Sequence, residues 1–495
     1  MFFDSTVYLV FLVLVTVLYW RLRFRAQNCF LLLASYFFYG WWDWRFLLLM
    51  GTSTVVDFFV ARGLDGFSQL RQRRALLILS LAVNFSFLGF FKYCNFFVDS
   101  FAQLAALLGL KGIPASLWQI VLPPAISFYT FQEVAYIVDV YHRKIKSADS
   151  LLDYALFVSL FPHLIAGPIQ RPSHLLPQVQ QPRVWDPARA FDGMILILEG
   201  LFRKVVIADN CALIANAAFS GNFGGPSLMT VVLGTVAFAW QIYGDFSGYS
   251  SIARGSAQLL GFHFMVNFRQ PYLAQSLQDF WRRWHMSLSS WLRDYLYIPL
   301  GGNRRGRART YLNLMLTMLL GGLWHGAAWT FVVWGGIHGG FLVAERRLRR
   351  GRPRVETGVN RALARLLTFH VVCLAWIFFR ADSVATAFSL LGRLVTGGGP
   401  ASLVTVPVVL AIAAGIGVQY VPAGTVARLT ARFAQLRPAF QGGVVLGDRL
   451  HLVAEEAGDG VAAHPEAERV GGGTHPWRRR RRGCLAGRGE PQPQP

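Results

Sequence analysis

Two histidines interrupt a long apolar stretch, residues 311–344, which reads YLNLMLTMLLGGLWHGAAWTFVVWGGIHGGFLVA. His325 lies near its middle, between Trp324 and Gly326, and His338 follows thirteen residues later. An ionisable side chain at membrane depth is costly and is by default a candidate functional residue. Because an imidazole gains and loses a proton near neutral pH, His325 is the first candidate for acid–base chemistry.

The same stretch predicts a helical hairpin. A single straight helix of this length would be about 50 Å long, whereas the hydrocarbon core of a bilayer is about 30 Å thick. The expected break lies at Gly321 and Gly322, followed by Gly326. Basic residues at both ends predict that both ends are cytoplasmic, with His325 near the turning point and well inside the membrane. The flanking residues are Arg304, Arg305, Arg307 and Arg309 before the stretch and Arg346, Arg347, Arg349 and Arg350 after it.

A further histidine, His285, lies in the segment 279–300, DFWRRWHMSLSSWLRDYLYIPL. Large apolar residues recur there at steps of three and four, with arginines interleaved. This pattern predicts one amphipathic helix that lies at the membrane interface or dips into the bundle. Gly301 and Gly302 are expected to end it. His285 has two interpretations, a chemical role or a simple position at the headgroup level.

Other polar residues have structural interpretations. Asp294 follows Arg293 and is more typical of an ion pair than of an acid catalyst. The spacing of His338 from His325 is not a metal-ligand step, so we interpret it as a helix-packing residue. Glu133 and Asp139 lie in an apolar helix and need partners or water.

Apolar runs predict an all-α polytopic membrane protein, because several reach the roughly 20 residues that cross a bilayer. Basic loops follow the first, third and fifth spans, which places these loops in the cytoplasm. Residues 151–169 are short and punctuated by Pro162, Gly167 and Pro168, so we expect a re-entrant element lining a cavity. The predicted spans are 6–20, 29–40, 45–62, 75–98, 118–141, 190–219, 228–250, 362–380 and 401–421.

Composition supports this class. The 495 residues are 54% hydrophobic and 15% charged, with a formal charge of +22. Positive loops that orient helices and contact anionic lipid explain this charge better than nucleic-acid binding, which we do not expect. The five cysteines are scattered without a CxxC pair and read as small core residues rather than a disulfide framework or a metal site.

The character of the chain changes at Gly447. Ala, Gly, Glu, Pro and a run of arginines, residues 478–482, replace the apolar helices. We therefore predict a membrane domain over residues 1–446 and a polar, disordered tail over residues 447–495. A reading-frame slip in the gene is the alternative explanation for this tail.

Four motifs together resemble the membrane-bound O-acyltransferase family, in particular its alginate O-acetyltransferase branch. The resemblance covers roughly residues 1–440 and implies a cup of about eleven transmembrane helices with re-entrant and interfacial helices. The motifs are SFYTFQEVAYIVDVY (127–141), FPHLIAGPIQR (161–171), DFWRRWHMSLSSWLRDYLYIPLGGNRRG (279–306) and GGLWHGAAWTFVVWGGIHG (321–339).

The resemblance implies catalytic roles for two histidines. The family's invariant histidine falls on His325, in LWHGA, and a second polar position falls on His285, in RWHMSLS. His325 would take a proton from an attacking hydroxyl and return it to a leaving thiolate, an effect worth about 10²–10⁴ in rate. Transient transfer of the acyl group to His325 itself is the open alternative. The surrounding tryptophans would limit hydrolysis of the thioester.

The resemblance also implies the reactants. The donor would be acetyl-CoA or another cytoplasmic acyl thioester, with no bound cofactor or metal, and the acceptor an exported polysaccharide such as alginate. Arg304 and Arg305 are then candidates for the donor's phosphates, although a positive-inside loop explains them more simply. Implied partners are membrane lipid and a periplasmic acetyltransferase, and the implied location is the bacterial inner membrane.

Two rival functions remain open at this point. A transporter of an acyl carrier or lipid-linked sugar would perform no chemistry, and it often carries internal symmetry that this sequence does not show. A scaffold for polymer export would tolerate the loss of both His285 and His325.

Overall fold

The computed structural model describes residues 1–110, 120–220, 228–348, 357–396 and 405–422, together with Thr425 and Arg428. The chain divides into two units, Met1–Thr425 and Val426–Pro495. All helices and contacts described below belong to the first unit. The predicted tail, residues 447–495, lies outside the described residues.

The described residues form helices joined by short turns, and no strand occurs among them, which confirms the all-α prediction. The helices are α1 (Thr6–Trp20), α2 (Phe24–Gly40), α3 (Arg45–Gly66), α4 (Leu70–Leu88), α5 (Cys94–Leu107), α6 (Ile126–Tyr141), α7 (Leu151–Ser159), α8 (Phe161–Leu164), α9 (Pro172–Gln180), α10 (Pro187–Leu201), α11 (Asp209–Ser220), α12 (Leu228–Leu259), α13 (Leu277–Trp281), α14 (Met286–Leu292), α15 (Arg307–His325), α16 (Trp329–Leu348), α17 (Gly358–Arg380), α18 (Val384–Thr396) and α19 (Val406–Tyr420).

Several of these helices are membrane spans. Within the described ranges, α3, α12, α17 and the continuous helix from α4 to α5 are long and apolar enough to cross a bilayer, and α1, α18 and α19 are shorter apolar helices. Large apolar side chains such as Val13, Leu48 and Leu363 are exposed on their outer faces. A lipid-facing surface requires such exposure, whereas a water-facing surface rarely tolerates it. The chain is therefore a multi-pass membrane protein, and the count of about eleven spans stays a prediction.

Three helices are continued or joined by π-helical turns. Gly89–Tyr93 joins α4 to α5, Phe202–Ala208 joins α10 to α11, and Arg293–Tyr297 extends α14. The predicted span 75–98 is thus the centre of a longer helix, Leu70–Leu107. Such turns occur frequently at functional sites, because they redirect side chains within an otherwise regular helix.

The predicted hairpin is present, but its break lies later than Gly321 and Gly322. Helix α15 continues through both glycines and ends at His325, and α16 begins at Trp329. The glycines instead allow the two helices to touch: a Cβ on Gly322 would collide with the carbonyl of Phe331, and one on Gly335 with that of Met318. These pairings are antiparallel, so the arginine-rich ends of both helices lie at the same end of the hairpin.

The prediction of one amphipathic helix over residues 279–300 is wrong. Helices α13 and α14 are separate, and the backbone between them adopts a left-handed conformation at His285, with φ at 43°. Residues 267–269 hold this turn through two backbone hydrogen bonds. Arg269 N–H donates to the carbonyl of Arg283 (2.9 Å), and Met286 N–H donates to that of Asn267 (3.0 Å). The turn buries His285 completely, so its side chain is enclosed by protein.

The segment 151–169 is short and broken, as expected, but none of its residues lines the cavity between the helices that His285 and His325 line. Helices α7 and α8 are buried, and Phe161 N–H donates to Ser35 Oγ at 3.0 Å. Farther along, Ile169 N–H donates to Ser287 Oγ at 3.0 Å. The end of this segment therefore packs against the turn that contains His285 and is bonded to it through Ser287.

The close approach of α15 and α16 generates a stability prediction. We expect Gly335→Ala to lower the thermal unfolding temperature in detergent, because its new methyl group must displace the backbone of α15, an overpacking cost of about 1–3 kcal/mol. Gly340→Ala is the matched control on the same helix, since nothing lies within 4 Å of its added Cβ. Equal unfolding temperatures for the two variants would contradict the described packing.

The hairpin also generates a topology prediction. In a background without native cysteines, Arg305→Cys and Arg347→Cys should react with a membrane-impermeant thiol reagent from the same side of the membrane. Labelling in intact spheroplasts and in inverted vesicles measures this. Reaction from opposite sides would show that α15 and α16 do not form a hairpin.

Candidate active site

A cavity of about 430 Å³ lies between the helices and contains both predicted catalytic histidines. Its volume is within the roughly 300–1,000 Å³ of small-molecule sites, and its walls are mostly apolar with a few polar groups, as such sites usually are. We call it the histidine cavity. Its lining comprises Lys92, residues 122–128, Ile242, Asp245, Phe246, Tyr249, Trp284, His285, Trp324, His325, Trp376 and Phe379.

His325 is the last residue of α15 and its ring is held by aromatic contacts. The rings of Trp324 and Trp334 each lie 5.0 Å from it, and that of Phe379 lies 5.3 Å away, all at steep angles. Within the part of the chain that the structure describes, its ring nitrogens take part in no hydrogen bond. The packing therefore fixes the ring while leaving its nitrogens available to a reactant in the cavity.

His285 is oriented by a hydrogen bond from one side only. Its Nδ1 lies 3.2 Å from Asn267 Oδ1, which also accepts from the N–H (3.2 Å) and the hydroxyl (3.0 Å) of Ser287. Since an amide oxygen can only accept, this contact assigns the proton to Nδ1. The other nitrogen, Nε2, is buried without a hydrogen-bond partner. His285 is thus set up as a neutral imidazole whose Nε2 can accept a proton.

The structure brings the two histidines together although forty residues separate them in the chain. Their ring centroids are 6.5 Å apart, and the ring of Trp324 contacts both. Trp324 also packs on Phe131, which stacks on Trp291 at 3.7 Å. These rings give the cavity an apolar wall beside the histidines, an arrangement suited to a water-sensitive acyl group. The catalytic roles of both histidines stay predictions.

Lys92 belongs to the same cavity and was not among the residues that the sequence singled out. It lies in the π-helical turn Gly89–Tyr93, and its Nζ donates to Ser127 Oγ (2.9 Å) and to the carbonyl of Trp324. Tyr93 donates to the carbonyl of Leu323 at 2.8 Å. The last carbonyls of a helix lack partners within it, so this turn completes the end of α15. A single lysine in the apolar run FSFLGFFKYCNFF, residues 85–97, was the missed signal.

The remaining candidates lie elsewhere. Arg304 and Arg305 are exposed at the opposite end of α15 from His325, about 28 Å away along the helix. Neither lines the histidine cavity, so the structure does not bring them to the two histidines. His338 is buried between Trp281 and Trp334, at 5.2 and 4.7 Å, as a packing residue.

The predicted acidic pairings are present. Asp294 bonds Arg293 at 2.7 Å and also Arg171 at 2.8 Å. Asp139 pairs with Lys144 at 3.0 Å and accepts from the hydroxyl of Tyr295 at 2.7 Å.

Glu133 is fully buried and accepts hydrogen bonds from Ser53 (3.1 Å) and Thr54 (3.0 Å) on α3. Hydrogen bonds of this kind are what allow a carboxyl group to reside in an apolar bundle. Glu133 therefore joins α6 to α3, and it does not line the histidine cavity.

The hydrogen bonds to Asn267 generate a test of this geometry. We expect Asn267→Ala to destabilise the protein by about 1–3 kcal/mol, because three buried donors lose their shared acceptor. Thermal unfolding in detergent measures the loss. Asn210→Ala is the control, since Asn210 is only partly buried and bonds carbonyls of the π-helical turn that precedes α11. A loss no larger than that of the control would contradict the central position of Asn267.

Comparison with known proteins identifies the family. Residues 143–386 match the model of the membrane-bound O-acyltransferase family. Over 394 residues the chain is 44% identical to the probable alginate O-acetylase of Pseudomonas aeruginosa, covering 79% of this chain and 74% of that protein. It is 38% identical over 408 residues to the peptidoglycan O-acetyltransferase of Helicobacter pylori, covering 76% of each.

A more distant relative has the same kind of activity. The teichoic acid D-alanyltransferase of Bacillus subtilis is 27% identical over 272 residues, which cover 51% of this chain and 67% of that protein. The match to the family model, residues 143–386, includes the segments that carry His285 and His325. The chain is therefore an O-acyltransferase that belongs to the membrane-bound O-acyltransferase family.

Proposed function

We propose that this protein transfers an acetyl group from a cytoplasmic thioester donor, acetyl-CoA or a related acyl thioester, for O-acetylation of an exported polysaccharide, alginate. The observation that carries the proposal is the pairing of His285 and His325 in one aromatic-walled cavity inside a membrane bundle. The names of relatives that are 44% and 38% identical over about three quarters of the chain support the acceptor class. The bacterial inner membrane is the site at which a cytoplasmic donor and an exported acceptor meet.

Acyl transfer needs a group that carries the proton of the attacking hydroxyl and a group that stabilises the negative charge on the acyl carbonyl oxygen. His325 takes the proton of the attacking hydroxyl as its oxygen bonds the acyl carbon, the carbon–sulfur bond breaks, and the proton passes to the leaving thiolate. The products are an ester and a free thiol, so atoms and charge balance. Lys92, whose Nζ lies at the Trp324 carbonyl, places positive charge beside His325 as the carbonyl oxygen becomes negative.

The basic loops orient this cavity in the membrane. Helix α6 is followed by His142, Arg143, Lys144 and Lys146, and such loops are cytoplasmic by the positive-inside rule. The histidine cavity is lined by residues 122–128 at the opposite end of α6, about 24 Å away along a helix of this length. The acceptor hydroxyl, presented by the polymer or by a periplasmic acetyltransferase partner, therefore approaches from the outer side.

The decisive variants are His325→Ala and His285→Ala. We expect His325→Ala to reduce acetylation of the exported polymer at least about 10²-fold, the usual contribution of a proton-transfer residue, without reducing the amount of inserted protein. His285→Ala should also lower acetylation, because His285 lines the same cavity as His325. Polymer acetyl content is measured by mass spectrometry and the protein amount by immunoblot.

His370→Ala is the matched control, since His370 is an exposed helical histidine that bonds only the carbonyl of Leu366 among the described contacts. Full acetylation in the His325→Ala and His285→Ala strains would favour a scaffold. A second assay separates the transporter: the purified protein should convert a labelled acetyl thioester and a hydroxyl acceptor into an ester, and a transporter would leave both unchanged.

A further inference from the structure

A second cavity lies behind His285 and is polar where the histidine cavity is apolar. Its volume is about 190 Å³, and its walls include Arg203, Ser247, Ser250, Arg254 and Asn267. This is below the roughly 300 Å³ of sites that enclose a whole small molecule, so it accommodates one functional group. Asn267, which orients His285, forms part of the wall between the two cavities. We call it the arginine cavity.

Three polar atoms around the arginine cavity lack partners. The Nε of Arg203, the Nε of Arg254 and the hydroxyl of Ser247 are buried and form no hydrogen bond. Buried polar groups in folded proteins are nearly always hydrogen-bonded. Three residues that line one small cavity therefore each have a buried donor without a protein acceptor.

The charged residues of the lining are two arginines and one glutamate, Glu199, so its net charge is positive and favours an anion. Arg203 pairs with Glu199 and also donates to Ser251 Oγ at 3.1 Å, whereas Arg254 adds a second positive charge. Arg269 also lies close enough for its charge to act on Arg254. Arginines bind phosphate through paired N–H groups. The tetrahedral oxygens of a phosphate suit donors that come from three separate residues better than the two oxygens of a carboxylate do.

The position of the arginine cavity favours the cytoplasmic side. Tyr19 donates to the carbonyl of Leu260 (3.1 Å) and Trp20 Nε1 to that of Leu259 (2.9 Å), so the end of α1 is joined to the end of α12. Helix α1 is followed by Arg21, Arg23 and Arg25, a cytoplasmic loop by the positive-inside rule. Arg254 lies only about 8 Å along α12 from Leu259.

We infer that the arginine cavity is a phosphate-binding site. The inference rests on the proposed function for the source of this phosphate, which is then the thioester donor on its cytoplasmic approach. A phospholipid headgroup or free phosphate has the same chemistry and is distinguished by experiment. Asn267 bonds Ser250 through Nδ2 (3.3 Å) and His285 through Oδ1, so an occupant of the arginine cavity acts on the atoms that hold the catalytic imidazole.

The test measures binding of coenzyme A, pantetheine, inorganic phosphate and an oligouronate to the purified protein in detergent. Arg254→Gln should weaken binding of coenzyme A at least about tenfold, since hydrogen bonds to charged groups contribute most among such contacts, and leave pantetheine, which has no phosphate, unchanged. Ser247→Ala should weaken the binding of coenzyme A less than Arg254→Gln does. Arg189→Gln, an exposed arginine at the start of α10, is the matched control and should change nothing. Arg254→Lys, which keeps the charge, and size-exclusion profiles show that the variants remain folded.

Each outcome decides one part of the inference. If Arg254→Gln abolishes binding of inorganic phosphate or of co-purified phospholipid while coenzyme A is unaffected, the phosphate site stands and its source is the ion or the lipid. Equal affinity of every probe for wild type and Arg254→Gln, or loss of the oligouronate alone, overturns it. Acetylation separates the two proposals: Arg254→Gln should regain activity at high donor concentration, and His325→Ala should not. A wild-type protein that binds coenzyme A through Arg254 but never acetylates would overturn the proposed function only.

Discussion

The amide oxygen of Asn267 accepts three hydrogen bonds from the segment around His285, and the geometry of the site depends on it. A buried imidazole needs a partner on one nitrogen to fix its ring and tautomer, while a base needs its other nitrogen free. Asn267 meets both needs, because it bonds Nδ1 and leaves Nε2 unpaired. The same residue closes the left-handed turn at His285 and separates the apolar cavity from the polar one. The orientation of the His285 ring and part of the wall of the arginine cavity thereby depend on a single side chain.

A second constraint, the contact between α15 and α16, brings His325 to the same place. Glycines let the two helices touch along their length, and the turn that follows His325 leaves the last carbonyls of α15 without helical partners. Lys92 and Tyr93 supply the missing donors from a π-helical turn. The bonds that stabilise the helix end also deliver a positive charge beside the imidazole. Burying a polar group in an apolar bundle is costly unless it is hydrogen-bonded, and the bonds of Lys92 to Ser127 and to the Trp324 carbonyl meet this need while they join two helices.

Much of this was accessible from the sequence where the determining features are local. The hairpin follows from an unbroken apolar run, its glycines and its flanking arginines, all within about one helix length of each other. The depth of His325 in the membrane stays a prediction from the same features. The turn at His285 was missed because it is imposed by residues 267–269, outside the segment whose periodicity predicts a helix. Lys92 was overlooked because a lone lysine in an apolar run gives no indication of which cavity it faces. The distance of Arg304 from His325 likewise needs the direction of α15, and the catalytic assignments came from resemblance rather than from periodicity.

Photo-crosslinking with an acyl-donor analogue whose acyl group carries a diazirine tests the central claim most directly, because it reports where the reacting carbon resides. The purified membrane protein is irradiated with this analogue, and the labelled peptides are identified by mass spectrometry. We expect labels on peptides that contain Trp324 and His325 or Trp284 and His285, and we expect an excess of unmodified acetyl donor to reduce this labelling. Competable labelling confined to helices outside the histidine cavity, such as α2 and α7, would contradict it.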